Sequence, residues 1–107
     1  MNEDQPTFDE FWPAYLREHS DPRTRALHVM GTLAALGCAG AFVMTRNPWW
    51  VPAALIAGYG PAWFAHLAIE GNSPATLRQP LLSLQADLTM LVHALRGSLD
   101  DECAKAD

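Results

Sequence analysis

The fold turns on one stretch: ALHVMGTLAALGCAGAFVMT (residues 26–45), then RNP (46–48), then WWVPAALIAGYGPAWFAHLAI (49–69). Arg46 is the only formal charge in it. At about 20 residues, each apolar run is long enough to cross a bilayer as a helix. The Arg46-Asn47-Pro48 turn suits a sharp stop and restart, because proline is tolerated only in a helix's first turn. Trp49 and Trp50 follow where an interfacial aromatic belt would place them. The expected architecture is all-α: a membrane helical hairpin with spans over 26–45 and 48–70, flanked by N- and C-terminal amphipathic helices.

The histidines fall into register on that hairpin. His28 lies 18 residues before Arg46, and His66 lies 18 residues after Pro48. In two antiparallel helices each would sit roughly 27 Å from the turn, at the same depth on neighbouring helices. Ionisable groups inside a span are costly and by default point to function.

On the N-terminal side, Thr7 and Glu10 fit a capping box. Phe8, Phe11, Trp12, Tyr15, Leu16 and His19 follow on one helical face, predicting an amphipathic helix over 7–19 that Pro13 disturbs. Ser20-Asp21-Pro22 breaks it and lets His19 fold back to the open end of the hairpin. Gly31, Ala35 and Gly37 in the first span and Gly58, Ala62 and Ala65 in the second are small enough for close approach. Gly71-Asn72-Ser73-Pro74 ends the second span. Leu81, Leu84, Leu88, Leu91, Val92, Leu95 and Leu99 predict a last amphipathic helix over 80–97, with Asp87 and His93 off that face. Residues 1–6 and 100–107 read as flexible tails.

One domain accounts for 107 residues. The formal charge of −5 gathers at the two ends. Together with the lack of a basic stripe, it argues against nucleic acid as a partner. Cys38 and Cys103 suggest neither a disulfide nor a cysteine metal site. The acidic N-terminus does not resemble a cleavable signal. Arg17, Arg23, Arg25 and Arg78 flank the open end against Arg46 at the turn, so both termini are expected in the cytoplasm. The small-residue faces make a homo-oligomer an open expectation.

Four residues form the candidate site: His19, His28, His66 and Glu70. His66 and Glu70 are four apart, one turn from each other on a regular helix. Neutral imidazole is a common ligand for iron, zinc, copper or nickel, and histidines with a carboxylate and open positions characterise non-haem iron(II) oxygenases. Against this stands a plainer alternative: a non-catalytic membrane scaffold or lipid-binding protein whose histidines serve packing and interfacial hydrogen bonds.

The run Phe11-Trp12-Pro13-Ala14-Tyr15-Leu16-Arg17-Glu18-His19, followed by Pro22, Arg25, Leu27, His28 and Gly31, resembles a known family. So does a second block: Gly58-Tyr59, Ala62-Trp63, His66, Glu70, Asn72, Pro74-Ala75-Thr76, Pro80, Ser83-Leu84 and Asp87. Both are similar to the 2-hydroxy fatty acid dioxygenases, over about residues 8 to 91. Leu77 and Leu82 depart from the pattern where aromatic residues are expected. The resemblance implies an integral membrane protein, here of a bacterial inner membrane, that uses Fe(2+) and O2. It would shorten a 2-hydroxy fatty acid by one carbon. It also implies His19, His28 and His66 as metal ligands, with Glu70 and Asn72 in the same motif as catalytic residues. On that basis Arg23 or Arg25 would pair with the substrate carboxylate, since a charge-assisted bond suits a carboxylate at an interface.

Overall fold

The computed structural model describes residues 6–106, which are all-helical apart from their connections. Helix α1 spans Phe8–Arg17. Its capping box is formed: the Glu10 N–H donates to Thr7 Oγ1 at 3.3 Å, and the Thr7 N–H donates to Glu10 Oε1 at 3.1 Å. Pro13 lies inside α1, which nevertheless continues through it as a single helix.

Helix α2 spans Pro22–Thr45, and α3 spans Trp50–Ala65 and runs into a π-helical turn over His66–Glu70. These bounds differ from the expected 26–45 and 48–70. Asp21 starts α2 four residues early, because its Oδ1 accepts the Arg23 N–H at 2.8 Å and Pro22 occupies the first turn. The 16 α-helical residues of α3 fall short of the about 20 that a span needs. Among the described residues α2 alone is long and apolar enough to cross a membrane, so helix length establishes one candidate span rather than two. Only 17% of its most apolar window is buried, unlike the core helix of a globular domain. Ile56 and Phe64 on α3 are also exposed.

The two long helices approach closely. A Cβ on Gly31 would lie 2.9 Å from the Ala57 carbonyl, and one on Gly58 would lie 3.2 Å from the Ala35 Cβ. Larger residues at these positions would force the pair apart. A 3₁₀ turn over Ala75–Leu77 then leads to α4, Pro80–Arg96, as the periodicity predicts.

Residues 1–5 and 107 of the expected tails lie outside the described residues. Leu99–Ala106, by contrast, folds as helix α5 rather than a flexible tail. Leu99 and Cys103 pack on the core, Trp12 Nε1 donates to Glu102 Oε1 at 3.0 Å, and Arg17 donates to the Ala106 carbonyl. Asp100, Asp101 and Glu102 occupy the first turn of α5, where negative charge is favoured. The core of Phe11, Tyr15, Leu16, Ala75, Ala86 and Met90 closes the end of the hairpin away from the turn. The histidines lie beside it.

Candidate metal centre

Three buried imidazoles meet where the end of α1, the first turns of α2 and the π-helical turn converge. One ring nitrogen from each of His19, His28 and His66 lies within 4.8 Å of the others. The equal-depth relation of His28 and His66 holds, with ring centroids 6.4 Å apart, and folding back places His19 4.4 Å from His66.

The hydrogen bonds around the cluster fix which nitrogen carries each proton. His19 Nδ1 lies 2.6 Å from the Tyr15 carbonyl, which can only accept, so Nδ1 is the protonated atom. His66 Nδ1 lies 2.7 Å from Asn72 Oδ1, while the Asn72 amide nitrogen donates to the Glu18 carbonyl at 3.2 Å. That second bond orients the amide, so His66 also carries its proton on Nδ1. In the neutral rings both Nε2 atoms are then bare, and they face each other at 3.0 Å. Two lone pairs at that distance need a cation between them. Burial, then the nearby His28 and His66, push the His19 pKa well below its ordinary value.

His28 is held the other way round. Its Nε2 donates to Asp87 Oδ1 at 2.6 Å, and Tyr15 Oη donates to the same oxygen at 2.6 Å. Burial and the Asp87 carboxylate push the Tyr15 phenol well above its usual range. Among the described residues, His28 Nδ1 is left buried with no hydrogen-bond partner. A proton shared by His19 and His66 would relieve that pair but leave this atom unsatisfied. A metal ion would take all three nitrogens, so the residues fit a metal. A carboxylate, a carbonyl and an amide behind the three rings are the outer partners that set tautomer and orientation at histidine metal sites.

The model of the Mpo1-like family, described as 2-hydroxy-palmitic acid dioxygenase Mpo1-like, matches residues 5–99. The chain belongs to the Mpo1-like family. No curated protein and no solved structure matches it.

The other candidate residues of this Mpo1-like chain separate. Asn72 stands directly behind His66. Glu70 meets none of the three imidazoles: its carboxylate accepts from Ser20 Oγ at 2.9 Å, the Asp21 N–H at 2.9 Å and Thr24 Oγ1 at 2.6 Å. The π-helical turn accounts for this, since its wider winding takes a residue four positions on away from the face of the first. Glu70 therefore ties the α1–α2 corner to the end of α3. Arg23 is exposed and pairs with Asp21 at 2.9 Å. Arg25 donates to the carbonyls of His19, at 2.8 Å, and Ser20, at 3.0 Å.

Tyr15 and Asp87 are the residues against the histidine cluster that pattern reading missed. Tyr15 reads as one of several aromatics on the α1 face, and Asp87 as a polar residue of α4. The usable signal was Asp87 at the end of the second family block, an acid among leucines.

Proposed function

We propose that the protein is an iron(II)-dependent dioxygenase of a membrane. On this reading it shortens 2-hydroxy fatty acids by one carbon. Support comes from one observation above all: three buried imidazoles bring one ring nitrogen each within 4.8 Å of the others in a chain of the Mpo1-like family. Iron would be held by His19 Nε2, His66 Nε2 and His28 Nδ1. When bound, it supplies a Lewis-acidic, redox-active centre with open positions for a chelating 2-hydroxycarboxylate and for oxygen. The stoichiometry closes without an external reductant. One 2-hydroxy acid and one O2 give the acid one carbon shorter, carbon dioxide and water. The bond between the carboxyl carbon and the hydroxylated carbon breaks. The substrate loses the four electrons that O2 gains.

The chain's own residues would bind, orient and exclude water. Asn72 and the Tyr15 carbonyl hold His66 and His19 in the ligating tautomer, and Asp87 does so for His28. Arg25 would steady the substrate carboxylate, since its backbone contacts place it beside His19, whereas Arg23 is already paired with Asp21. Glu70 would contribute through the corner it anchors. Both α2 and α3 would lie in the bilayer, with the π-helical turn extending α3 towards the required length; their exposed apolar side chains support this placement. By charge bias the termini would lie in the cytoplasm of a bacterial cell.

Elemental analysis of the detergent-purified, anaerobically handled protein tests this beside a His19/His28/His66 triple-alanine variant. Near-stoichiometric iron in the parent, lost in the variant, with turnover of 2-hydroxy acids, is the expected result. Zinc alone, or no metal after reconstitution with iron(II), would overturn it.

A further inference from the structure

A cavity of about 190 Å³ opens between α2, α3 and α4, away from the core. Its walls include Leu36, Ala54, Leu55, Gly58, Leu84 and Leu88. It is larger than the roughly 150 Å³ apolar cavity that suffices to bind benzene. Thr32, Tyr59 and Asp87 are its polar lining residues. Thr32 Oγ1 donates to the His28 carbonyl at 3.0 Å, and Asp87 Oδ1 accepts from both Tyr15 and His28. Below that polar end, towards Leu36 and Ala54, the cavity offers mainly hydrocarbon to its occupant.

Its direction is set by the helices. Asp87 lines the cavity on one side and touches His28 on the other. From there α2 descends past Thr32 to Leu36, and α3, running the other way, reaches the same level from Gly58 down to Ala54. Ala54 lies one helical turn beyond Gly58, about 6 Å further from the histidines. An apolar groove that starts one side chain from the metal ligands suits a molecule with a polar head and an unbranched tail.

We propose that this groove seats the first part of the substrate's acyl chain, and that Leu36 and Ala54 set the chain length accepted. The inference rests on the dioxygenase reading for the head of the substrate. It adds which surface of the hairpin receives the tail. The groove is only partly enclosed, so the rest of a long chain would leave it between the helices.

The experiment uses the full chain, purified in detergent and loaded with iron(II), as parent, Ala54→Leu and Leu36→Ala. Leu36 is half exposed, so shortening it opens the groove without emptying a core. Each form is offered saturated 2-hydroxy acids of increasing length. Separately, each is photolysed with a 2-hydroxy acid bearing a diazirine at the end of a short chain, and the labelled residues are mapped by mass spectrometry. Ala54→Leu should shift the ratio of kcat/KM values at least roughly tenfold towards shorter chains, the scale of a small change in an apolar pocket, and Leu36→Ala the opposite way. Label in the parent should concentrate on groove residues and move in Ala54→Leu. Unchanged length preference in both variants, or label spread over the outward residues Ile56, Phe64 and Leu67, would overturn the assignment. Absence of turnover at every length would instead count against the dioxygenase reading. The labelling pattern would then still decide the groove.

Discussion

Asp87 Oδ1 accepts a 2.6 Å hydrogen bond from His28 Nε2 across 59 positions of sequence. This bond selects the nitrogen through which His28 can bind a metal. A carboxylate only accepts, so Nε2 keeps the proton and Nδ1 is the nitrogen that remains for a metal. Replacing Asp87 by Asn keeps the volume but permits an amide N–H to face Nε2 and reverse the tautomer. Asp87→Asn should weaken iron(II) or cobalt(II) binding about 10–100-fold, the usual scale for outer partners of a histidine ligand. Titration of the metal-free protein measures it, and an unchanged affinity would remove Asp87 from the site.

The opposed nitrogens of His19 and His66 make the metal-free site unfavourable. A divalent metal at a hundred times its dissociation constant should stabilise the protein by about 2.7 kcal/mol. For a chain of this size that is roughly 10 °C or more in Tm. A chelator should reverse the gain. The triple-alanine variant should show no metal-dependent shift, and a full-sized shift in that variant would place the metal elsewhere.

Glu70→Gln discriminates an anchoring role from a ligand role. A glutamine must turn an amide N–H towards Ser20, Asp21 or Thr24, all of which donate to the present carboxylate. Stability of the metal-free protein should fall by about 1–3 kcal/mol. Metal affinity should fall only in proportion to the loosened corner. Loss of metal binding with intact metal-free stability would make Glu70 a ligand.

Gly71 ends the π-helical turn at φ 71° and lets the Asn72 N–H reach the His66 carbonyl at 3.0 Å. An added Cβ would meet nothing within 4 Å, so the cost of Gly71→Ala is conformational. About 1–2 kcal/mol of stability should be lost. Weaker metal binding should accompany it, because Asn72 would no longer sit squarely behind His66. Thermal melts with and without metal separate the two effects.

Hydrogen bonds from the Arg23 side chain and then its N–H hold Asp21 down to about 2, against an ordinary value of 3.8. The folded-state value is depressed, so the stability is present above the ordinary value and is lost as pH falls towards 2. Asp21→Asn keeps a good N-cap. It should therefore flatten the acid side of the Tm–pH curve between about 4 and 2, and an unchanged slope would show that Asp21 does not contribute.

Local features were legible from the sequence because their causes lie within a few residues. The Thr7–Glu10 capping box, the start of α4 at Pro80 and the turn after Thr45 all depend on neighbours in the chain. The His28–His66 match was legible too, since equal spacing from one turn fixes equal depth in any antiparallel pair. Glu70 misled for a local reason: the four-residue rule assumes α-helical winding, and His66–Glu70 is π-helical.

The sequence by itself determined an all-helical chain, an apolar hairpin and three histidines at one end of it, because periodicity and spacing carry that information. Tertiary structure decided what those histidines can do. Only the packing of α1 and α4 against the hairpin gathers the three rings and brings Asp87 behind His28, whereas the Tyr15 carbonyl and Asn72 reach His19 and His66 from four and six residues away. Proton positions on an imidazole follow from its partners, and here the partner of His28 is 59 residues away. Likewise α5 exists because Trp12 and Arg17 hold Glu102 and Ala106, contacts across some 90 residues that composition does not encode.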